Sequence, residues 1–370
     1  MRIGVFGGSF DPVHNDHYEI CKKFKEKLNL DKVIVVPTHL SPFKSEFLSL
    51  PRMRKEMVEI AFKNLDFVTV SDYEISSTRP SYTYKTLEWI KEQNPNAELF
   101  LLIGADSLVN FLKWKNVEYI LNNATLTVMG RKGYDLKAEV EKFKETTNKP
   151  IFFFEFDGKI SSTFVRELLK LGVMPREYLN NKVIDYIKRN NLYSGDKYYE
   201  FVSKQLKESR LIHTAGVIVL AQKYAKKLGE NVEKAKLSAL LHDVAKYEKR
   251  EDYIDVDIPK NAPESIVHQY IGAHIAKNTL NIEDENVINA IAYHSTGRPN
   301  MSTLEKIIFL ADLLEDGRTY DEVDELRLAV DNDFEKGFCL CIERLIKHVQ
   351  KSGDNLFELT ALANEYYNKR

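Results

Sequence analysis

The sequence has few cysteines and no long hydrophobic run. Three cysteines occur in 370 residues, an odd number that argues against a disulfide framework. No stretch approaches the roughly 18 apolar residues of a membrane-spanning helix, and the opening MRIGVFGGSF has the pattern of a strand and turn rather than of a secretion signal. These absences predict a cytoplasmic protein with no membrane partner.

The chain also lacks an excess of charge of one sign. Its formal net charge is −2, which divides into about +4 for residues 1–195 and about −6 for residues 196–370. This balance is unlike the basic stripe that binds nucleic acid, so we expect small anionic substrates. With 44% hydrophobic content the chain is too long for one ordinary core, which predicts two domains, 1–195 and 196–370.

The two halves have different periodicities. Six short β-branched and aromatic runs alternate with helical patterns in the first half, at 3–6, 33–36, 67–70, 99–103, 125–128 and 151–154. This alternation predicts a Rossmann-like α/β domain with a parallel sheet, whose ligands bind beyond the carboxyl ends of the strands. From about residue 191 only helical periodicities follow, among them 233–247 and 264–280, so the second domain is predicted to be all-α.

Two stretches of the first half have the pattern of anion sites. GGSFDPVHNDH, residues 7–17, places two glycines after the first strand and then a helix start with His14 and His17 on one face. It is neither the dinucleotide fingerprint nor the P-loop. ISSTFVRE, residues 160–167, brings hydroxyls, backbone N–H groups and Arg166 to a second helix start. Together on a parallel sheet they indicate polyphosphate binding.

The second half contains scattered histidines and carboxylates with metal-ligand chemistry. The apolar stripe of LLHDVAK predicts a helix whose opposite flank carries His242 and Asp243. Asp312 lies in the apolar run IIFLADLL, where a bare buried carboxylate costs several kcal/mol and therefore needs a partner, a proton or a metal. A helical domain can bring these groups together with three further histidines, His213, His268 and His294.

The first half resembles bacterial nicotinate-nucleotide adenylyltransferases over residues 1 to about 193. The resemblance lies in the order of GGSFDPVHNDH, PSYTYKTL, LIGADSL, KW, GRKGY and ISSTFVR. It implies transfer of AMP from ATP, with Mg²⁺ on the ATP phosphates, to nicotinate mononucleotide, with release of pyrophosphate. His14 and His17 would stabilise the charge that builds on the α-phosphorus.

The same resemblance implies the binding residues. Thr83 and Trp114 would form the nicotinate pocket, although Trp114 fits half-buried packing almost equally well. Asp16 stands where the family usually has glycine, which predicts weakened ATP affinity or a shifted helix start. ATP and phosphate would be bound by Gly7, Gly8, Ser9, Phe10, Lys44, Gly104, Asp106, Arg131, Ser161, Ser162, Thr163 and Arg166.

The second half resembles the HD superfamily of metal-dependent phosphohydrolases, with HDVAK, YHSTGRP and LADLLEDGR closest to the YqeK type. Those proteins are similar in activity to symmetrical diadenosine tetraphosphatases, which release two ADP at a two-metal centre. The resemblance implies one ion on His213, His242, Asp243 and Asp312, and a second on His268 and His294 with Asp243 bridging. Lys246, Arg298 and Arg318 would bind phosphate, with Asp243 and Lys246 in the catalytic centre.

Several alternatives stay open. His and Asp ligands admit iron, which the resemblance favours, but also manganese or zinc. The acceptor of the transferase could be nicotinamide mononucleotide or phosphopantetheine instead. The helical domain could hydrolyse another nucleotide, or act as a nucleotide-sensing module that regulates the transferase. The sequence leaves the oligomeric state undetermined, so a homo-oligomer remains an option.

Overall fold

The computed structural model describes residues 1–39, 48–76, 80–131, 136–158, 160–353 and 355–368, with backbone alone at 131 and 136–139. The chain forms two compact units. The N-terminal unit consists of residues 1–166 and 175–193, and the C-terminal unit of residues 167–174 and 194–370. Among the described helices, none has the length and apolar character needed to cross a bilayer.

A parallel six-stranded sheet forms the centre of the N-terminal unit. The strand order β3-β2-β1-β4-β5-β6 is the doubly wound arrangement, which confirms the predicted fold class. All five strand pairings are parallel. The strands are β1 (Arg2–Gly8), β2 (Lys32–Pro37), β3 (Val68–Val70), β4 (Glu98–Gly104), β5 (Ala124–Arg131) and β6 (Ile151–Phe156).

The inner strands form because their side chains are apolar on both faces. In β2, four consecutive residues from Val33 to Val36 are buried, as expected for a strand covered by helices on each side. The register pairs Gly8 with Pro37 and Gly104 with Met129, so the carboxyl ends of these four strands share one edge. A ligand site is expected at that edge because strand order reverses between β1 and β4.

Helices cover the sheet and lead into the short connections that carry the motifs. Helix α1 begins after His14, whose backbone is extended, and it ends at Asn29 in the left-handed conformation. The helices of this half of the chain are α1 (Asn15–Leu28), α2 (Pro51–Phe62), α3 (Thr83–Gln93), α4 (Ala105–Phe111), α5 (Val117–Asn123), α6 (Leu136–Thr147), α7 (Ser162–Lys170) and α8 (Asn181–Arg189).

The C-terminal unit is built from helices throughout its described residues, as predicted. Helix α10 packs against both α11 and α14, and two of the predicted ligands, His213 and Asp312, lie in α10 and α14. The helices are α9 (Lys197–Gln205), α10 (Glu208–Leu228), α11 (Val232–Leu241), α12 (Glu264–His274), α13 (Glu285–Ala292), α14 (Thr303–Leu314), α15 (Val323–Asn332), α16 (Phe334–Ser352) and α17 (Glu358–Asn368), with a 3₁₀ turn at Arg250–Asp252 and a π turn at Ile275–Thr279.

Two predicted helix boundaries were wrong. The helix predicted over 233–247 ends at Leu241, and a chain of turns follows it. In a regular helix His242 and Asp243 would point about 100° apart, whereas the turns let both side chains face one point. The helix predicted over 264–280 changes to the π turn after His274.

Candidate functional site

The glycine turn after β1 is packed tightly around Phe10. A Cβ on Gly8 would lie 2.9 Å from the Phe10 ring, and Phe10 is buried with a positive φ of 49°. The fully buried Arg54 stabilises the turn, because its Nη1 donates to the Ser9 carbonyl at 2.7 Å. Sequence reasoning missed Arg54, since nothing in PRMRKE distinguishes a buried arginine from a surface one.

His14 and His17 lie together at the start of α1. His14 is the N-cap rather than a helical residue, so the expectation that both sit on one helix face was wrong in detail. The ring centroids are nevertheless 3.7 Å apart. The His14 backbone N–H donates to Nδ1 of His17 at 3.1 Å. A neutral His17 therefore carries its proton on Nε2, which makes that atom a donor.

The ISST segment is fastened to the glycine turn and its continuation. The Ser162 hydroxyl donates to the Pro12 carbonyl at 2.9 Å, and Arg166 Nη1 donates to the Asp11 carbonyl at 2.7 Å. The other Arg166 amino group donates to the Thr163 hydroxyl at 3.2 Å. Ser161 accepts the Phe164 backbone N–H at 3.1 Å. The two predicted anion motifs are thus neighbours in space, although 150 residues separate them.

Asp16 contacts the segment that precedes this cradle. Its Oδ2 accepts the Ile160 backbone N–H at 2.9 Å. The carboxylate therefore positions the chain just before Ser161, a role that the usual glycine of the family lacks. The sequence predicted weakened ATP affinity or a shifted helix start from Asp16, and it did not predict this contact with Ile160.

Replacing Asp16 by glycine is expected to raise the KM for ATP about 3- to 10-fold, because one hydrogen bond to a charged group is lost at a partly exposed site. The KM for the acceptor should hardly change. Steady-state adenylyl transfer measures both, and Asp16→Asn, which keeps an acceptor oxygen, is the matched control. If Asp16→Gly bound ATP as tightly as the parent or more tightly, the positioning role would be refuted.

A cavity of about 540 Å³ opens at the carboxyl edge of the sheet. Its lining joins three predicted groups, the glycine turn, Gly104 at the end of β4, and the pair Thr83 and Trp114. Asp106 is exposed two residues beyond Gly104. Lys44 lies outside the described residues, as does the side chain of Arg131, so their predicted contacts stay predictions.

Glu74 is a lining residue of this cavity that sequence reasoning missed. It is buried, and its Oε1 accepts the Thr86 hydroxyl at 2.6 Å. Desolvation by burial raises the pKa of Glu74, against the lowering effect of the Thr86 hydrogen bond. An acid in VSDYEISS carries no periodic signal that would have identified it.

In the C-terminal unit, Asp243 and Asp312 face a pair of histidines. Nε2 of His213 is 3.0 Å from Asp312 Oδ1 and 4.0 Å from Asp243 Oδ2. Nε2 of His242 is 3.4 Å from Asp243 Oδ2 and 4.0 Å from Asp312 Oδ1. Asp312, the carboxylate in the apolar run of α14, therefore has His213 and His242 as partners, as expected for a charged group in an apolar helix.

The second oxygen of Asp243 faces the other histidines. Oδ1 lies 3.1 Å from Nε2 of His268 and 3.7 Å from Nε2 of His294. Those two nitrogens are 3.2 Å apart. Asp243 thus presents one oxygen to each pair of histidines, which is the geometry that a bridging ligand requires.

Three histidines are oriented through Nδ1. His242 and His294 each contact a backbone carbonyl with Nδ1, at 2.7 Å to Ala239 and 2.8 Å to Ile291. Nδ1 of His213 is 3.1 Å from Oε1 of Glu315. Each contact requires the proton on Nδ1, which leaves Nε2 as an electron-pair donor aimed at the cluster. This arrangement is typical of histidines that bind metal.

The donor set fits two divalent cations. Ligand atoms of His213, His242 and Asp312 lie within 4.8 Å of one another, and so do those of His242, Asp243 and His294. Buried Nε2 of His242 and Oδ1 of Asp243 have no hydrogen bond of normal geometry among the described residues. Neutral imidazoles with carboxylates suit iron, manganese and zinc alike.

The ionisation of most of the cluster suits the same purpose, although at His213 the contacts with Asp312 and Glu315 raise the pKa against the lowering effect of burial. Burial lowers the pKa of His242, and it lowers that of His268 to about 4, so both rings are neutral. Burial opposes ionisation of Asp243 and Asp312, but the neighbouring histidines outweigh it and hold both pKa values well below the usual range. Metal binding needs neutral imidazoles and ionised carboxylates.

Glu315 is a supporting residue that sequence reasoning missed. Its Oε2 accepts the Gly317 N–H at 2.6 Å while Oε1 faces His213, so both oxygens meet donors. Gly216 leaves the necessary room, because a Cβ there would overlap the Glu315 carboxylate. The signal was present in LLEDGR, where Glu315 directly follows the helix that carries Asp312.

We expect Glu315→Gln to weaken metal binding about 10- to 100-fold, the usual effect of losing the group that orients a histidine ligand. Glutamine offers only one acceptor oxygen where two donors converge. Competition with a chelator, read as metal content, measures the effect. Glu325→Gln on the exposed face of α15 is the control, and an unchanged metal affinity for Glu315→Gln would contradict the assigned role.

The three predicted phosphate binders differ in their positions. Lys246 Nζ is 3.3 Å from Asp243 Oδ1, and Arg318 Nη2 is 2.6 Å from Asp312 Oδ1, so both lie at the cluster. Arg298 instead forms a bidentate pair with the buried Glu305 at 2.6 and 3.1 Å. Glu305 also caps α14, so the geometry gives Arg298 a structural role rather than a phosphate-binding one.

Comparison with known proteins agrees with both sites. Residues 5–168 match the family model described as cytidylyltransferase-like, and residues 210–317 match the HD domain. A nucleotidyltransferase domain followed by an HD domain is therefore the class that fold and sites define.

Relatives narrow this class. A Mycoplasma genitalium protein named probable nicotinate-nucleotide adenylyltransferase/Ap4A hydrolase is 28% identical over 90% of this chain and 94% of its own length. A Clostridium acetobutylicum protein named probable nicotinate-nucleotide adenylyltransferase is 38% identical over 52% of this chain and 98% of its own. A crystal structure from C. acetobutylicum, titled as a predicted HD superfamily hydrolase involved in NAD metabolism, is 37% identical with a TM-score of 0.44, covering 47% of this chain and 97% of that one.

The chain belongs to the nicotinate-nucleotide adenylyltransferase family and carries an HD domain after the transferase. The two resemblances found in the sequence are thereby confirmed.

Proposed function

We propose that the chain is a bifunctional enzyme. The N-terminal unit transfers AMP from ATP to nicotinate mononucleotide and releases pyrophosphate, and the C-terminal unit hydrolyses diadenosine tetraphosphate (Ap4A) to two ADP. The observation that supports the proposal is the clustering, in one chain, of two groups of side chains suited to phosphate chemistry, the glycine turn with the ISST segment and the histidines with Asp243 and Asp312. The paired name of the Mycoplasma relative supports the same assignment.

In the transferase, residues of the chain would position the triphosphate and neutralise its charge. The cradle from Ser161 to Arg166 supplies hydroxyls and a guanidinium for the triphosphate, whose Mg²⁺ neutralises part of its charge. His17 would donate from Nε2 to the α-phosphate as negative charge accumulates there in the in-line displacement. His14, in ring contact with His17, would assist that charge stabilisation.

The acceptor pocket lies on the same cavity. Trp114 would stack its indole on the pyridine ring, and the start of α3 at Thr83 would offer backbone N–H groups to the nicotinate carboxylate. An uncharged nicotinamide would benefit less from that helix start. We therefore infer the acid as the acceptor.

In the hydrolase, His213, His242, Asp243 and Asp312 would hold one cation, and His268 and His294 with the shared Asp243 would hold the other. A pair of such ions acidifies water and neutralises the attacked phosphate. Lys246 and Arg318 would bind the flanking phosphates, and burial of His242, Asp243, His268 and His294 excludes competing solvent from those ligands. We propose iron as the metal, on the resemblance to the YqeK type.

The test uses the purified full chain with each substrate in turn. ATP with nicotinate mononucleotide should yield the dinucleotide and pyrophosphate, whereas nicotinamide mononucleotide should react much more slowly. Metal-loaded protein should convert Ap4A to ADP alone. If the protein bound metal and yet released no ADP, the hydrolase assignment would give way to a regulatory module or another substrate.

A further inference from the structure

Three side chains run from Asp243 to the surface of the C-terminal unit. Nη1 of Arg210 is 2.8 Å from Asp243 Oδ2, and the Arg210 side chain is 27% exposed. Lys207, the N-cap residue of α10, is exposed and has its Nζ 4.9 Å from the centre of the Tyr247 ring. Tyr247 follows Lys246 in sequence and is 46% exposed.

A cation at the first metal site would bind Oδ2 of Asp243, the same oxygen that Arg210 contacts. The histidines that would hold the first ion lie within 4.0 Å of Asp243 Oδ2. A cation bound at this oxygen would repel Arg210, which could then pair with a phosphate bound by that cation. Guanidinium groups match phosphate in geometry and charge. Arg210 thus fits the phosphate role that Arg298, held by Glu305, does not.

Lys207 and Tyr247 extend the same surface outward. Lys207 and Arg210 are joined at the start of α10, where the Arg210 backbone N–H donates to the Lys207 carbonyl at 2.9 Å. Beyond Lys207 the exposed Tyr247 ring offers a face on which a base can stack. Arg210 and Lys207 would face the two phosphates of ADP, and Tyr247 would face the adenine, with the ribose between them.

We propose that Arg210, Lys207 and Tyr247 form a subsite for one adenosine diphosphate half of the dinucleotide, with Tyr247 stacking on the adenine. This inference rests on the proposed Ap4A hydrolase function. The subsite would account for recognition of the adenosine part of the substrate, because the metal centre itself would contact only the phosphates.

The test compares binding of Ap4A with binding of inorganic tetraphosphate, which has the phosphates but no base. Calorimetry on the metal-loaded full chain uses Ap4A with methylene bridges between its phosphates, which the metal centre cannot hydrolyse, and any binding at the transferase site is the same in every variant. Tyr247→Ala should raise the Kd of Ap4A about 5- to 100-fold, the range expected for loss of one stacked base, and leave tetraphosphate within about 2-fold. Tyr247→Phe should bind Ap4A as the parent does.

Arg210→Gln should instead weaken both ligands about 10-fold or more, since it removes a charged hydrogen bond to phosphate. Metal content must equal that of the parent in every variant. Tyr198→Ala is the matched control, because Tyr198 makes the same contact with Lys197, at 4.9 Å, on a helix without ligands.

The outcomes separate the two proposals. An unchanged Ap4A Kd in Tyr247→Ala, or an equal loss for tetraphosphate, overturns the base-stacking subsite. Tight binding of Ap4A without release of ADP instead overturns the hydrolase function, and the Kd comparison still decides the subsite.

Discussion

Asp243→Asn is expected to lower Ap4A hydrolysis by more than about 100-fold and to remove at least one metal ion per chain. Loss of a group that merely orients a ligand costs about 10- to 100-fold, so loss of a carboxylate whose two oxygens serve both ion sites must exceed that range. Asparagine keeps the size of the side chain but presents an uncharged amide to the cations. Metal analysis and ADP release measure the two effects separately.

Two controls make this result specific. Asp284→Asn removes the same charge from the N-cap of α13, where asparagine caps equally well, and should leave both metal content and hydrolysis unchanged. Adenylyl transfer by Asp243→Asn should match that of the parent. Retention of two ions per chain by this variant would refute the bridging role of Asp243.

Much of the fold could be predicted from periodicity. Each of the six strands overlaps a predicted run, because a buried parallel strand needs consecutive β-branched or aromatic residues, as at Val33 to Val36. The end of α11 at Leu241 could not be predicted, since Val244 and Ala245 continue the apolar stripe and are buried in the turns as well. Apolar spacing reports burial, and here burial continued after the helix had ended.

The candidate sites could be predicted only in part, for a different physical reason. A histidine or an aspartate in an apolar helix needs a partner, so Asp312 and His242 were conspicuous. The direction of a long side chain is set by its neighbours in space. Arg298 turns to Glu305 and Arg210 turns to Asp243, and no local pattern distinguishes those two arginines. Glu315 and Arg54 were missed because their partners come from other elements.

Substitution can separate the two roles assigned to His17, which are capping of α1 through Nδ1 and donation to the substrate through Nε2. Nδ1 of His17 accepts the His14 backbone N–H at 3.1 Å, and Nε2 is the nitrogen proposed to act on the α-phosphate. Asparagine places an oxygen near the position of Nδ1 and so retains the helix cap, but it has nothing at the position of Nε2. Glutamine does the reverse, because its amide reaches the position of Nε2.

His17→Asn is therefore expected to lower the kcat of adenylyl transfer about 10²- to 10³-fold, the usual effect of removing one donor that acts on developing charge. The KM for ATP should change much less, since the proposed ground-state contacts to the triphosphate come from Ser161 to Arg166. His17→Gln should recover part of the lost rate. His274→Gln, at the end of α12 in the other unit, controls for loss of an imidazole as such.

Single-turnover rates of dinucleotide formation, measured at saturating ATP and nicotinate mononucleotide, isolate the transfer step from binding. Hydrolysis of Ap4A by His17→Asn should stay at the parent rate, which shows that the protein is folded and metal-loaded. A transfer rate within about 10-fold of the parent would mean that His17 only caps α1. A loss confined to KM would mean that it binds ATP without stabilising the transition state, since only interactions that strengthen as the α-phosphate becomes more negative can raise kcat.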